Sequence, residues 1–269
     1  NLKKTIAMIS SVVMAGSVFA ACGGSKKPAN NENGEGTTTT AANSIAVCLT
    51  SEPDTIDPAL NSAVDGATML AHLFSGLAKW AQDDEGKLII APDAAEELVD
   101  GVENEDGTVT YTYTLRDGLV WSDGQPVTAG DFAFAWQRAA STDLGADYGY
   151  MFEVVDGYAD IWATDDAGNF VNPDAELNVK ATDEKTLEVT LANHVSYWNE
   201  LLAFPTYFPV REDVVSNDAW ATDPSTYVCN GPYKLTGWEH NSVITVEKNP
   251  DYIDADEIKM DKIQFFLSD

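Results

Sequence analysis

Over residues 108–115, threonines alternate with Val109, Tyr111, Tyr113 and Leu115, the two-residue period of a strand with one buried and one wet face. The Val/Tyr/Leu side is therefore the predicted core side. Arg116-Asp117-Gly118 follows as a turn, Leu119-Val120-Trp121 as a short apolar return strand, and Ser122-Asp123-Gly124 with Pro126 as a second turn. Thr128 is placed to cap a helix. Asp131 stands where a carboxylate meets the free N–H groups and the positive end of the helix dipole, and Phe132, Trp136 and Ala139 recur at helical spacing.

The same reading along the rest of the chain predicts two further hairpins. One joins Val179 and Ala181 to Leu187, Val189 and Leu191 through the turn 182–185; the other joins residues 233–235 to 243–246 around Asn241-Ser242. Residues 46–50, 88–90 and 263–267 read as strands. Residues 66–77 carry Met69, Leu70, Leu73 and Phe74 at helical spacing, residues 94–99 form at most a brief helix, and Ser196 caps a short helix that ends before Pro205. Hairpins mixed with helices imply an α/β chain on mixed sheets, not a regular doubly wound one.

The first residues read differently. Lys3 and Lys4 precede an uncharged, mostly apolar run to Ala21, the pattern of a secretory signal over residues 1–21, too short and serine-interrupted for a membrane span. Phe19-Ala20-Ala21-Cys22 resembles a bacterial lipobox, with Phe where Leu is usual, which implies a lipid on Cys22. Residues 22–44 hold no apolar side chain larger than Ala beyond that cysteine and Pro28, so they are expected to be a disordered, lipid-anchored tether.

Charge narrows the function. Setting aside Lys3 and Lys4 leaves 13 basic against 44 acidic residues, a net charge of about −31. Such a surface repels nucleic acid and anionic headgroups, so no nucleic-acid partner is expected, and lipid rather than charge would hold the protein to a membrane. The acidic runs at 83–86, 103–107 and 165–168 lack calcium-loop spacing and read as solvated turns. No nucleophile elbow, S-x-x-K, H-E-x-x-H or phosphate-loop motif occurs, and His72, His194 and His240 show no ligand spacing. No catalytic residue, metal or cofactor is therefore assigned.

The stretch from Tyr111-Thr112-Tyr113-Thr114-Leu115-Arg116 to Trp136-Gln137-Arg138 resembles the signature region of the family 5 solute-binding proteins, the oligopeptide- and dipeptide-binding lipoproteins of bacterial ABC importers. The resemblance extends to Ser51-Glu52-Pro53-Asp54-Thr55-Ile56-Asp57-Pro58, Leu73-Phe74-Ser75-Gly76-Leu77 and Asn230-Gly231-Pro232-Tyr233-Lys234-Leu235, and covers the chain from about residue 45 onward. It implies a periplasmic-binding-protein-like fold (type II, cluster C) of mixed-sheet lobes. A first lobe would comprise 45–74 and 211–269, and a smaller domain, 75–210, would be inserted into it. A second ligand-gripping lobe is expected beyond Asp269, since family members continue for about as many residues again.

What the resemblance implies for function is capture of oligopeptides outside the cell membrane and delivery to an ABC permease, by a monomer needing no cofactor. Relatives that take dipeptides, a metal complex or an oligosaccharide, and a signalling or adhesion lipoprotein without transport, remain alternatives. Its position-by-position match places main-chain ligand contacts at Ser62, Ala63 and Val64, and pocket-lining rings at Tyr148 and Phe204. With Cys22 assigned to lipid, Cys48 and Cys229 fall in one lobe of the family fold and are a candidate disulfide.

Overall fold

The computed structural model describes residues 43–268. The signal, the lipidation cysteine and nearly all of the tether lie outside them. At Asn43 the chain is already engaged: its carbonyl accepts from the Asp261 and Lys262 amides at 2.7 and 3.2 Å, and its amide donates to Asp261 Oδ2 at 3.0 Å. Strand β1 (Ser44–Leu49) thus begins within the last two residues assigned to the tether.

After β1 come α1 (Val64–Leu73), β2 (Ala78–Gln82), β3 (Leu88–Pro92), β4 (Val102–Glu103), β5 (Val109–Thr114) and α2 (Ala129–Ala140). The chain continues through α3 (Tyr158–Ile161), β6 (Val179–Ala181), β7 (Thr186–Leu191), α4 (Trp198–Leu202), α5 (Glu212–Val215), β8 (Tyr233–Glu239), β9 (Val243–Lys248) and β10 (Lys262–Leu267). One sheet runs β1-β10-β9-β8, with β1 parallel to β10 from Ser44 opposite Lys262 to Leu49 opposite Leu267. A second, antiparallel, runs β4-β5-β7-β6, and β2 and β3 pair with each other.

The alternation in β5 resolves as expected: Val109, Tyr111 and Tyr113 are buried and the threonines between them face outward. Tyr113 lies opposite Leu187, and α2 packs over β6 and β7 with Phe132, Ala135, Trp136 and Ala139 inward. Three tryptophans anchor this layer, and each buried indole N–H has an acceptor: Trp121 on Asp131 Oδ2 at 3.2 Å, Trp136 on the Tyr207 carbonyl at 2.8 Å and Trp198 on the Tyr113 hydroxyl at 2.9 Å.

Several expected elements differ, two of them because a distant partner claims the backbone. Helix α1 stops at Leu73 instead of running to Leu77: the Gly231 amide takes the Leu73 carbonyl at 2.8 Å, and the Asn230 side chain pairs with both the amide and carbonyl of Ser75. A Cβ on Gly231 would lie 2.5 Å from Leu73 C and Phe74 N, so the Asn-Gly pair is what lets these segments touch. Residues 94–99 form no helix, because the Ala94, Ala95 and Glu96 amides donate to Gly76, Leu77 and Thr114. The expected return strand at Leu119-Val120-Trp121 is a single bridge from Val120 to Pro126; the chain turns back on itself through Gly124, at φ +86°. Ser196 does not cap α4; Tyr197 holds the capping position and makes no side-chain cap bond.

Candidate functional site

The segment leading into α1 is held from below. Asp57 is 2% exposed, and its oxygens receive both Arg138 guanidinium nitrogens at 3.0 and 2.7 Å and the Ala59 amide at 2.9 Å. The Tyr227 hydroxyl donates to the Ile56 carbonyl at 2.7 Å. Asn61 is also buried; its Oδ1 accepts from the Ala63 amide at 3.4 Å and lies where a Cβ on Gly66 would have to go.

On this base Ser62, Ala63 and Val64 stand exposed, Val64 by 85%. Ala63 is extended, φ −117° and ψ 155°, and its carbonyl serves the first turn of α1 through Ala67. The Ser62 amide and carbonyl and the Val64 amide bond to no other described residue. The sequence therefore produces a fixed, solvent-facing run of backbone with free donors and an acceptor, at the point where an α-helix leaves its own first amides unpaired.

Beside it lies an open concavity of about 480 Å³, bounded by the end of β1, residues 50 and 51, and Ala63, Val64, Asp65 and Thr68. The Asp65 carboxylate is fixed by the Ser51 hydroxyl at 2.5 Å and the Gly66 amide at 2.8 Å. Cys48 lines the same hollow, exposed, whereas Cys229 is fully buried with its Sγ 3.5 Å from the Tyr233 carbonyl. Both thiols are free. The candidate disulfide is thus corrected: one sulfur faces out from an edge strand and the other points into the core, where burial pushes the Cys229 thiol up to about 12.

Tyr148 and Phe204 do come together, edge to face at 5.2 Å between ring centres, both half-buried. Their backbones are set by the core: Tyr148 precedes the 3-10 turn Gly149–Val154, Phe204 precedes the 3-10 turn Pro205–Tyr207, and the Tyr207 hydroxyl ties the two by donating to the Met151 carbonyl at 2.7 Å.

Two ion-pair clusters were not foreseen, although Asp57, Arg116 and Arg138 lie in the quoted motifs. Arg138, the last residue of the signature, pairs with Asp57 of the Asp-Pro motif. Arg116 grips Asp254 through both nitrogens at 2.8 and 2.6 Å, and Lys79 joins it to buried Asp93, which also accepts from Ser75 and Tyr252. Among the described residues no cluster of His, Cys, Asp or Glu is arranged to hold a metal ion.

Comparison with known proteins places this arrangement. Residues 90–269 match the family described as bacterial extracellular solute-binding proteins, family 5 Middle. The chain is 33% identical over 272 residues to the oligopeptide-binding protein OppA of Bacillus subtilis, covering 99% of this chain and 46% of that protein. It is 36% identical over 230 residues to the probable deoxycholate-binding periplasmic protein YgiS of Escherichia coli, covering 81% of this chain and 39% of that one. The structure of Listeria monocytogenes OppA bound to peptide superposes with a TM-score of 0.72 at 31% identity, over 85% of this chain and 43% of that one. The chain thus spans less than half the length of these relatives, and its mixed-sheet fold is that of the periplasmic peptide-binding proteins. With two-thirds of its residues inside the family match and the signature helix, the Asp57 loop and the Asn230-Gly231 contact all in place, the chain belongs to the bacterial extracellular solute-binding proteins of family 5.

Proposed function

We propose that the full-length protein captures oligopeptides outside the cell membrane and delivers them to an ABC permease, held at the membrane by lipid on Cys22. It acts as a monomer and performs no catalysis. Residues 45–74 and 211–269 form one lobe, 75–210 a smaller domain inserted in it, and a second lobe carried by further chain closes over the ligand. Closure of two lobes is a hinge motion that excludes water and strengthens the polar contacts it covers.

The observation that carries this reading is the exposed backbone at Ser62, Ala63 and Val64, immobilised by the buried Asp57–Arg138 pair yet left with unpaired groups. Main-chain pairing of that kind recognises a peptide irrespective of its sequence, while roomy hollows accept its side chains. A bile salt such as the deoxycholate named for YgiS has no peptide backbone to offer such a run. Tyr148 and Phe204 supply an aromatic wall for the ligand's side chains.

Val64 offers a clean test. It is the first residue of α1, where proline is tolerated because its amide has no helical partner, and Ala63 before it already has the extended backbone that a proline requires. Val64→Pro in the full-length protein should leave the melting temperature unchanged and weaken peptide binding about fivefold to tenfold, the loss of one main-chain hydrogen bond. Calorimetry with a mixed tripeptide-to-pentapeptide panel reads the change. Unaltered affinity would remove Val64 from the binding run, and a full-length protein that binds none of the panel and releases no peptide on denaturation would overturn the reading.

A further inference from the structure

We infer that the hollow beside Ser62, Ala63 and Val64 is a subsite for a cationic side chain of the bound peptide, with Asp65 as its specificity-determining residue; this rests on the peptide-binding reading above. Asp65 is the one charged side chain lining the hollow of about 480 Å³; the rest of its wall is Ala63, Val64, Thr68 and the chain from Cys48 to Ser51. Its carboxylate is oriented by the Ser51 hydroxyl at 2.5 Å and the Gly66 amide at 2.8 Å, and it forms no ion pair with any described residue.

An ionised carboxylate accepts about four hydrogen bonds, so two donors leave it with free capacity. Asp65 follows directly on the exposed backbone run, so a ligand paired there presents a neighbouring side chain to the hollow. A lysine or arginine there carries an ammonium or guanidinium group able to donate to the unfilled positions on Asp65. A carboxylate-bearing residue would meet repulsion instead, in a chain with 44 acidic and 15 basic residues. Water would be excluded from the pair on lobe closure, which strengthens it relative to a surface contact.

The test is a lysine scan of an alanine-based pentapeptide against the same scan with norleucine, which keeps the aliphatic stem and deletes the charge, on the full-length protein. Lysine at one position should bind about tenfold more tightly than norleucine, the scale of one charge-assisted hydrogen bond, and Asp65→Asn should bring that ratio close to one. Thr68→Lys, which installs a cation in the hollow without touching Asp65, should remove the preference by the same route and covers the case in which the aspartate variant fails to fold. Peptides that bind with no preference for charge, or with a preference that survives both variants, would overturn the subsite while leaving peptide capture standing; a protein that binds no peptide of either series would overturn both.

Discussion

Asp57 and Arg138 are 81 positions apart, and each was visible in the sequence only as a member of a separate motif. In the structure they meet as a two-pronged ion pair, with side chains 3% and 16% exposed, directly beneath the backbone assigned to ligand contact. Removing one partner leaves a desolvated charge with nothing to offset it, so Arg138→Met should cost about 3–5 kcal/mol of unfolding free energy, read as a lowered urea midpoint with an unchanged slope. Changing both, as Asp57→Asn with Arg138→Met, should recover part of that loss, because no unpaired buried charge remains. If the single variant loses under about 1 kcal/mol, the pair is not the anchor described here and the platform under Ser62 must be held by Asn61 and Tyr227. The resemblance located Ser62, Ala63 and Val64, but nothing in the residues themselves signalled that the Ser62 and Val64 amides would be left free. That depends on Asn61 and Asp57 taking up the neighbouring donors, which is a matter of folded geometry.

At the level of elements, the helix start at Thr128 shows how much local chemistry can carry. The Thr128 hydroxyl accepts from the Asp131 amide at 3.3 Å, Asp131 Oδ2 accepts from the Thr128 amide at 2.8 Å, and the same carboxylate takes the Trp121 indole N–H. Burial raises the Asp131 carboxyl above its usual range despite those donors, so the box is partly sheltered from water. Thr128→Ala removes one acceptor and should cost about 1 kcal/mol by chemical denaturation, with Thr128→Ser restoring most of it; a silent alanine variant would mean that Asp131 and Trp121 hold the helix start alone. The strand β5, the hairpins β6–β7 and β8–β9 and the helix α2 were legible because period, turn residues and cap all lie within a dozen positions of one another. Two of the failures have the opposite property. The C-terminus of α1 and the extended backbone at 94–96 were decided by Gly231, Gly76, Leu77 and Thr114, residues that no local pattern connects to them. The pairing of Tyr148 with Phe204 belongs to the same class: two aromatic positions from separate segments whose meeting depends on Tyr207 joining two 3-10 turns.

Across the whole molecule the dominant fact is 44 acidic residues against 15 basic ones, a formal charge of −29 at pH 7. Self-repulsion on that scale opposes the compact state, whereas exposed ion pairs such as Lys180–Glu188 contribute at most about 1 kcal/mol each. Two opposing trends with pH follow. Acidification from neutrality begins to discharge the surface and relieves the repulsion. Below that, individual carboxyls dominate: the hydrogen bonds from Arg116 hold Asp254 below the usual carboxylate range, and at Glu52 burial alone would raise the value but donors from His240, Asn241 and Trp238 outweigh it. A carboxyl whose folded value lies below its unfolded one stabilises the fold fully above about pH 4 to 4.5, and that contribution disappears as the pH falls through the lower, folded value. The melting temperature should therefore hold or rise between pH 7 and about pH 5 and then drop steeply below about pH 4, with Asp254→Asn flattening the acid limb. Salt separates the two causes at neutral pH. Raising it from about 10 mM to about 0.5 M shortens the screening length from about 30 Å to a few ångströms and should increase the melting temperature, because repulsion summed over many carboxylates is screened more than the few buried pairs are weakened. A melting temperature that falls with salt at pH 7 would mean that specific ion pairs, not the net charge, set the electrostatic balance of this fold.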